Sequence, residues 1–125
     1  MRVLVVEDDG AVREMLRDLL IDGGHVVTTA ASFTEAAALL AKPQWDVLLS
    51  DLVLPGGSGY DLAEQARARG LGAVVCSGHP ARIEELPGRG IARLVKPFSP
   101  AELDAALASV APPSTAATPD PITEL

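Results

Sequence analysis

Polar side chains that can do chemistry follow short apolar runs at several points of this sequence. They are Glu7, Asp8, Asp9, Asp51, Ser77, His79 and Lys96. Carboxylates crowded into one crevice repel one another unless a cation neutralises them. Mg²⁺ prefers oxygen ligands, and a lysine ammonium can bind a phosphoryl oxygen. The set is therefore suited to phosphoryl transfer onto a carboxylate, which gives an aspartyl phosphate.

Each of these residues also has an ordinary structural explanation. An acidic triplet at the end of a strand is usually a solvated turn. Asp51 could equally be a helix cap or form an Asx turn, and Lys96 before Pro97 could simply keep a loop soluble. The coincidence of acids after two apolar runs, a hydroxyl after a third and a lysine after a fourth favours one shared site.

The elements that must position these residues alternate between strands and helices. The predicted strands are Val3–Val6, Val26–Ala30 (more polar, and so at a sheet edge), Val47–Leu49, Ala73–Cys76 and Ile91–Val95. Helix starts include a capping-box pattern at Ser32 and Glu35, and a second one at Ser99 and Glu102. Alternation of this kind predicts an α/β doubly wound domain with a parallel sheet. Ligands of such sheets bind at the carboxyl ends of the strands, where the polar residues fall.

Four segments together carry a family resemblance. They are Val-Leu-Val-Val-Glu-Asp-Asp at 3–9, Ser-Asp-Leu-Val-Leu-Pro-Gly-Gly-Ser-Gly at 50–59, Ser-Gly at 77–78 and Lys-Pro-Phe at 96–98. In this order they resemble a two-component response-regulator receiver domain over residues 2 to about 110. The resemblance implies a flavodoxin-like fold, with a five-stranded parallel sheet in the order 2-1-3-4-5 flanked by five helices. The fourth helix, at 81–86, is expected to be short or irregular because Pro87 and Gly88 cut it.

The resemblance also implies roles for the acids. Asp51 would be the phosphoacceptor, and Glu7 and Asp8 would hold Mg²⁺ together with it. The backbone carbonyl of Val53 would be a further metal ligand. Asp9 could belong to the same site, but capping of the following helix would explain it equally well.

The remaining site residues come from later strands. By the resemblance, Lys96 and Ser77 contact the phosphoryl oxygens, and the Lys96–Pro97 peptide bond is cis. His79 lies where the family tunes hydrolysis of the phosphoryl group, although a loop imidazole without a role is an equally good explanation. Arg93 stands where many receivers have an aromatic switch residue. It would be a solvated cation that faces a partner, or the partner of an acidic group in a different switch.

Composition narrows the class of protein. The chain has 125 residues, and 10 Lys and Arg against 17 Asp and Glu give a net charge of −7. An acidic balance argues against a nucleic-acid-binding surface, and no apolar run approaches the roughly 20 residues that span a membrane. One cysteine fits a reducing compartment, so we expect a cytoplasmic protein. We predict a receiver domain at 1–111 and a disordered tail rich in Pro, Thr and Ala at 112–125.

The sequence thus predicts a stand-alone receiver that acts as a phosphorylatable switch or relay component rather than as an enzyme. Its partners would be a histidine kinase or a histidine phosphotransfer protein and an unknown downstream target, and it would be a monomer or weak dimer.

One alternative is a receiver-fold binding module that signals without phosphorylation, and the presence of Asp51, Asp8 and Lys96 argues against this alternative. Another is a flavodoxin or an aspartate-nucleophile phosphatase. The acids after the first strand oppose the flavodoxin, and Val53, in place of an acid, opposes the phosphatase.

Overall fold

A computed structural model, which describes residues 1–79, 82 and 90–111, contains a five-stranded parallel sheet. The strands of this sheet are β1 (Arg2–Val6), β2 (Val26–Ala30), β3 (Val47–Asp51), β6 (Gly72–Ser77) and β7 (Ile91–Val95). Two short strands, β4 (Val53–Leu54) and β5 (Gly57–Ser58), form an antiparallel hairpin after β3. The helices are α1 (Gly10–Asp22), α2 (Phe33–Leu40), α3 (Gly59–Ala68) and α4 (Pro100–Val110).

The strand order confirms the predicted topology. It is β2-β1-β3-β6-β7, which is the order 2-1-3-4-5 when the hairpin is left out of the count. The polar strand β2 lies at the sheet edge, as its composition indicates. The chain leaves β1 toward β2 on one side and then returns to β3 on the other. This reversal creates a crevice at the carboxyl ends of β1 and β3.

The core lies in two layers, one on each face of the sheet. Leu4, Leu48 and Val75 face one layer, which α2 and α3 cover. The alternate residues of the same strands, such as Val5 and Leu49, face the other layer, beneath α1 and α4. Burial of both faces requires continuous apolar strands, which explains the uninterrupted Val and Leu runs of the sequence.

Helix caps follow the sequence signals, with one difference. Ser99 and Glu102 form the predicted reciprocal capping box at the start of α4. Ser32 accepts from the Glu35 N–H, but the Glu35 carboxylate accepts from the N–H of Ala31 rather than from that of Ser32. The second half of that predicted box is therefore shifted by one residue.

Two predictions fall outside the described residues. They are the short fourth helix at 81–86, apart from Arg82, and the disordered tail at 112–125. In the part of the chain that the structure describes, no helix combines the length and the apolar character that crossing a membrane requires.

Candidate functional site

The turn that follows β1 places two acids at the crevice. Glu7 is buried, with 2% of its surface exposed, and Asp8 beside it is exposed. Asp9 caps α1, because its Oδ1 accepts from the N–H groups of Ala11 at 2.9 Å and Val12 at 3.1 Å. The structure therefore supports the capping role for Asp9 and leaves Glu7 and Asp8 as the acids of the crevice.

Glu7, Asp8 and Asp51 form what we call the carboxylate cluster. One carboxylate oxygen of each residue lies within 4.8 Å of the other two. Asp51 ends β3, and its Oδ1 accepts from the N–H of Leu52 at 3.2 Å. The strand ends that the sequence analysis selected are thus brought together at one point.

Lys96 connects this cluster to β7. Its Nζ lies 2.8 Å from Oε1 of Glu7 and 3.3 Å from Oδ1 of Asp51. Burial lowers the pKa of Lys96, but the hydrogen bond to Glu7 and the charge of Asp51 outweigh burial, so the pKa is raised. The Lys96–Pro97 peptide bond is cis, as the family resemblance implied.

Arg13 is a site residue that the sequence analysis did not select. Its Nη1 donates to the backbone carbonyl of Glu7 at 2.9 Å and lies 3.5 Å from that of Asp8. The second carboxylate oxygen of Glu7 accepts from the N–H of Asp9 at 3.1 Å. A usable signal was present, since a residue in the first turns of a helix can reach back to the loop that precedes it.

Ser77 ends β6 at the same edge of the sheet and is 4% exposed. Its carbonyl accepts from the Lys96 N–H at 2.8 Å, and its Oγ accepts from the His79 N–H at 3.0 Å. His79 itself is exposed. Val53 lies in β4 beyond Asp51 and exposes 56% of its surface.

Arg93 lies outside the carboxylate cluster and is exposed on β7. Its positive charge acts on Tyr60 of α3. Burial raises the pKa of Tyr60, the charge of Glu64 and a hydrogen bond to it raise the pKa further, and the charge of Arg93 opposes these effects. Ala92 and Leu94 face the layer under α1 and α4, so the alternate residue Arg93 lies on the α3 side of β7, where its charge acts on Tyr60.

The donor set of the cluster fits a divalent cation. Three carboxylates meet the ammonium of Lys96, with the Arg13 guanidinium on the backbone beside them, so negative charge predominates. Carboxylate oxygens are the ligands that Mg²⁺ prefers, usually a few of them together with waters and a phosphate. The arrangement joins a cation site to a carboxylate that can act as a nucleophile.

The family model of the response regulator receiver domain matches residues 3–108, and the chain belongs to this family. It is 33% identical, over 116 residues, to the phosphate regulon transcriptional regulatory protein PhoB of Klebsiella pneumoniae. That match covers 87% of this chain and 51% of PhoB. The chain thus spans about half the length of this relative.

Solved structures agree with this assignment. The chemotaxis response regulator CheY4 of Vibrio cholerae is 30% identical with a TM-score of 0.73, over 87% of this chain and 97% of that one. TrrA of Thermotoga maritima, solved in complex with Mg²⁺–BeF, is 25% identical with a TM-score of 0.76 and the same coverage of both chains. Receiver domains of this family are phosphorylated on aspartate in a Mg²⁺-dependent step.

Proposed function

We propose that Asp51 accepts a phosphoryl group in a Mg²⁺-dependent reaction and that the chain acts as a signalling switch or phosphorelay component. The observation that carries this proposal is the carboxylate cluster with Lys96 beside it. The cluster gathers three acids within 4.8 Å, and the Lys96 ammonium lies 3.3 Å from Asp51. A buried acid, a nucleophilic carboxylate and a cation at one point are the parts that phosphoryl transfer requires.

Glu7, Asp8 and Asp51 would hold the Mg²⁺, together with the backbone carbonyl of Val53. When bound, Mg²⁺ offsets the negative charge that the acceptor carboxylate and the phosphoryl oxygens would otherwise bring together. Glu7 is fixed on both oxygens, by Lys96 and by the N–H of Asp9. The cluster is therefore largely formed before a cation enters.

The nucleophile is an oxygen of Asp51. The N–H of Leu52 and the ammonium of Lys96 both approach Oδ1, so we assign the attack to Oδ2. A new O–P bond forms to Oδ2 while the N–P bond of a phosphohistidine donor breaks, and the leaving imidazole nitrogen takes up a proton. The product is an aspartyl phosphate on this chain and a free histidine on the donor.

Lys96 and Ser77 would bind the transferred group. The ammonium of Lys96 can move from Asp51 to a phosphoryl oxygen because it is a flexible point charge. The Ser77 hydroxyl accepts from the His79 N–H, which leaves its own proton for donation to a second oxygen. We assign His79 to tuning of the hydrolysis of the aspartyl phosphate, because its backbone orients that hydroxyl.

The partners follow from the chemistry of the site. The phosphoryl donor would be a histidine kinase or a histidine phosphotransfer protein, and a downstream protein would bind the phosphorylated form. We propose that residues 1–111 form the receiver unit, a monomer or weak dimer that works in the cytoplasm without a substrate turnover of its own. Arg93, whose charge acts on Tyr60, would stand at the switch position as a cation that faces a partner.

The experiment uses acetyl phosphate as donor and intact mass as readout. Wild-type protein with Mg²⁺ should gain the mass of one phosphoryl group, and the same protein in EDTA should not. Asp51→Asn keeps the size of the side chain and should remain unmodified under both conditions. Absence of the adduct from wild type, or an equal adduct on Asp51→Asn, would overturn the proposal and favour a binding module that works without phosphorylation.

A further inference from the structure

We propose that Arg13 is a positioning residue that aims the carboxylate of Asp8 at the cation site. This inference rests on the proposed function, because it concerns how the same cluster binds Mg²⁺. Arg13 lies in the first turns of α1, and its guanidinium turns back toward the loop of residues 7–9. It would contact neither the cation nor the phosphoryl group, and would act through the backbone.

The contacts of Arg13 fall on the two peptide units that flank Asp8. The Glu7 carbonyl at 2.9 Å belongs to the peptide before the Cα of Asp8, and the Asp8 carbonyl at 3.5 Å to the peptide after it. Peptide units are planar, so the bond to the first carbonyl and the weaker contact with the second together restrain the two soft dihedral angles between them. Those angles set the direction in which the Asp8 side chain leaves the backbone.

One other bond of this loop shares part of this work, because the N–H of Asp9 belongs to the peptide after Asp8 and donates to Glu7 Oε2 at 3.1 Å. Lys96 and the N–H of Asp9 hold the side chain of Glu7. The Asp9 side chain holds the N–H groups at the start of α1. Arg13 holds the peptide before Asp8 at 2.9 Å, so the exposed Asp8 is the acid of the cluster whose position depends most on Arg13. Hydrogen bonds from a guanidinium are also stronger than those between neutral groups.

A role of Arg13 through its charge and a role in positioning Asp8 predict opposite changes in Mg²⁺ affinity when Arg13 is removed. A cation so close to the cluster repels Mg²⁺, so if charge were its whole effect, removing Arg13 would strengthen Mg²⁺ binding. If Arg13 aims Asp8, removing it weakens Mg²⁺ binding even though the repulsion disappears. The sign of the change in affinity therefore separates the two explanations.

The test is a calorimetric titration of Mg²⁺ into wild type, Arg13→Met, Arg13→Lys and Arg17→Met. Loss of outer contacts to metal ligands typically weakens affinity by about tenfold or more, so Arg13→Met should bind about tenfold more weakly. Arg13→Lys should have an intermediate Mg²⁺ affinity, because an ammonium is a single point donor rather than a fork.

Arg17→Met is the matched control, because it removes an equal charge from the same helix. Arg17 is exposed and lies 3.7 Å from Asp18, so the Mg²⁺ affinity of Arg17→Met should stay within about twofold of that of wild type.

A second readout uses phosphorylation by acetyl phosphate. Arg13→Met should need about tenfold more Mg²⁺ for half-maximal rate yet approach the wild-type rate at saturating Mg²⁺, since the nucleophile is unchanged. Binding by Arg13→Met as tight as wild type or tighter would overturn the inference. If Arg13→Met fails to fold, wild-type affinity in Arg13→Lys would overturn it. Absence of Mg²⁺ binding in wild type would overturn the proposed function as well, and the wild-type titration reveals that case by itself.

Discussion

At the scale of single residues, Lys96 balances the charge of the carboxylate cluster. Its ammonium contacts Glu7 at 2.8 Å and Asp51 at 3.3 Å, and these two acids raise its pKa against the effect of burial. The same ammonium would have to leave Asp51 when a phosphoryl oxygen arrives. In the proposed function it would compete with a metal ion for the cluster before phosphorylation and assist the transferred group afterwards.

Replacing this lysine should separate its two effects. In Lys96→Met the ammonium no longer competes for the carboxylates, so Mg²⁺ affinity should rise about three- to tenfold. Phosphorylation by acetyl phosphate should nevertheless slow about a hundredfold, because one preorganised donor to the developing charge is lost. Calorimetry and the rate of mass gain measure the two quantities. Lys42→Met, at an exposed position near Trp45, is the control that should change neither.

Tyr60 makes the charge of Arg93 measurable, since it is the single tyrosine of the chain. Arg93 lowers the pKa of this phenol and Glu64 raises it. In Arg93→Ala the pKa of Tyr60 should therefore rise further, and in Glu64→Gln it should fall toward the ordinary value. An ultraviolet titration of the tyrosinate band tests both directions. Equal titration curves for wild type and Arg93→Ala would show that the Arg93 charge does not reach α3.

The residue types were more predictable than their contacts. Strand ends bring polar residues to one edge of a parallel sheet, so Glu7, Asp8 and Asp51 could be grouped from the sequence. The contact of Lys96 with Glu7 could not be predicted, because it depends on a flexible side chain choosing between two nearby acids. Arg13 was missed because its partners are backbone carbonyls, so its signal was its place in the first turn of α1 and not a residue-type motif.

At the scale of elements, the start of α3 packs against the backbone of Asp51, the proposed phosphoacceptor. Gly59 begins this helix, and a Cβ built at Gly59 would lie 1.9 Å from the backbone oxygen of Asp51. The same Cβ would lie 2.7 Å from the hydroxyl oxygen of Ser50, which donates to that Asp51 oxygen. The glycine therefore lets α3 approach the end of β3 closely enough to fix the backbone of Asp51.

Gly59→Ala should consequently cost about 3 kcal/mol or more of the free energy of unfolding, because backbone rather than a flexible side chain must move. It should also slow phosphorylation, since Asp51 shifts with its carbonyl. Urea unfolding and mass gain measure the two effects. Gly10→Ala is the matched control in α1, where the added Cβ meets Arg13 at an ordinary 3.6 Å. It should be neutral or stabilising by about 0.5 kcal/mol. A Gly59→Ala protein as stable as wild type would contradict the argument.

Element prediction succeeded where the sequence pattern is long and failed where it is short. The five main strands and the two-layer core follow from continuous apolar runs, which require burial on both faces. The β4–β5 hairpin was not predicted, because each strand has two residues and Pro55-Gly56-Gly57 indicates a simple loop. At Ser32 the signal for a cap was right, but the reach of Glu35 to Ala31 depends on the backbone before the helix.

At the scale of the whole molecule, Cys76 reports on the integrity of the sheet. It is the single cysteine, 2% exposed next to the last residue of β6, and burial raises the pKa of its thiol to about 12. The thiolate is the reactive form, so Ellman's reagent at pH 8 should not modify the folded protein. Modification should begin with global unfolding in urea and follow the same transition as Trp45 fluorescence. Rapid reaction of the native protein would show that β6 opens locally.

Binding of a cation should stabilise the whole domain, because the carboxylate cluster joins β1 and β3 and exists in the folded chain alone. At ten times its dissociation constant, a ligand that binds the native state adds about 1.4 kcal/mol. In a domain of this size that raises Tm by roughly 5 °C. MgCl₂ should therefore raise Tm by clearly more than NaCl does at the same ionic strength, because screening acts on all charges and binding acts on one site.

Asp8→Asn removes one ligand without touching the salt bridges of Lys96, and this variant should lose most of the increase in Tm that is specific to Mg²⁺. Equal shifts by the two salts would mean that Mg²⁺ acts as a general electrolyte. A rise in Tm that only MgCl₂ gives would show that some of the excess acids of this chain form a cation site, and that the bound cation stabilises the fold.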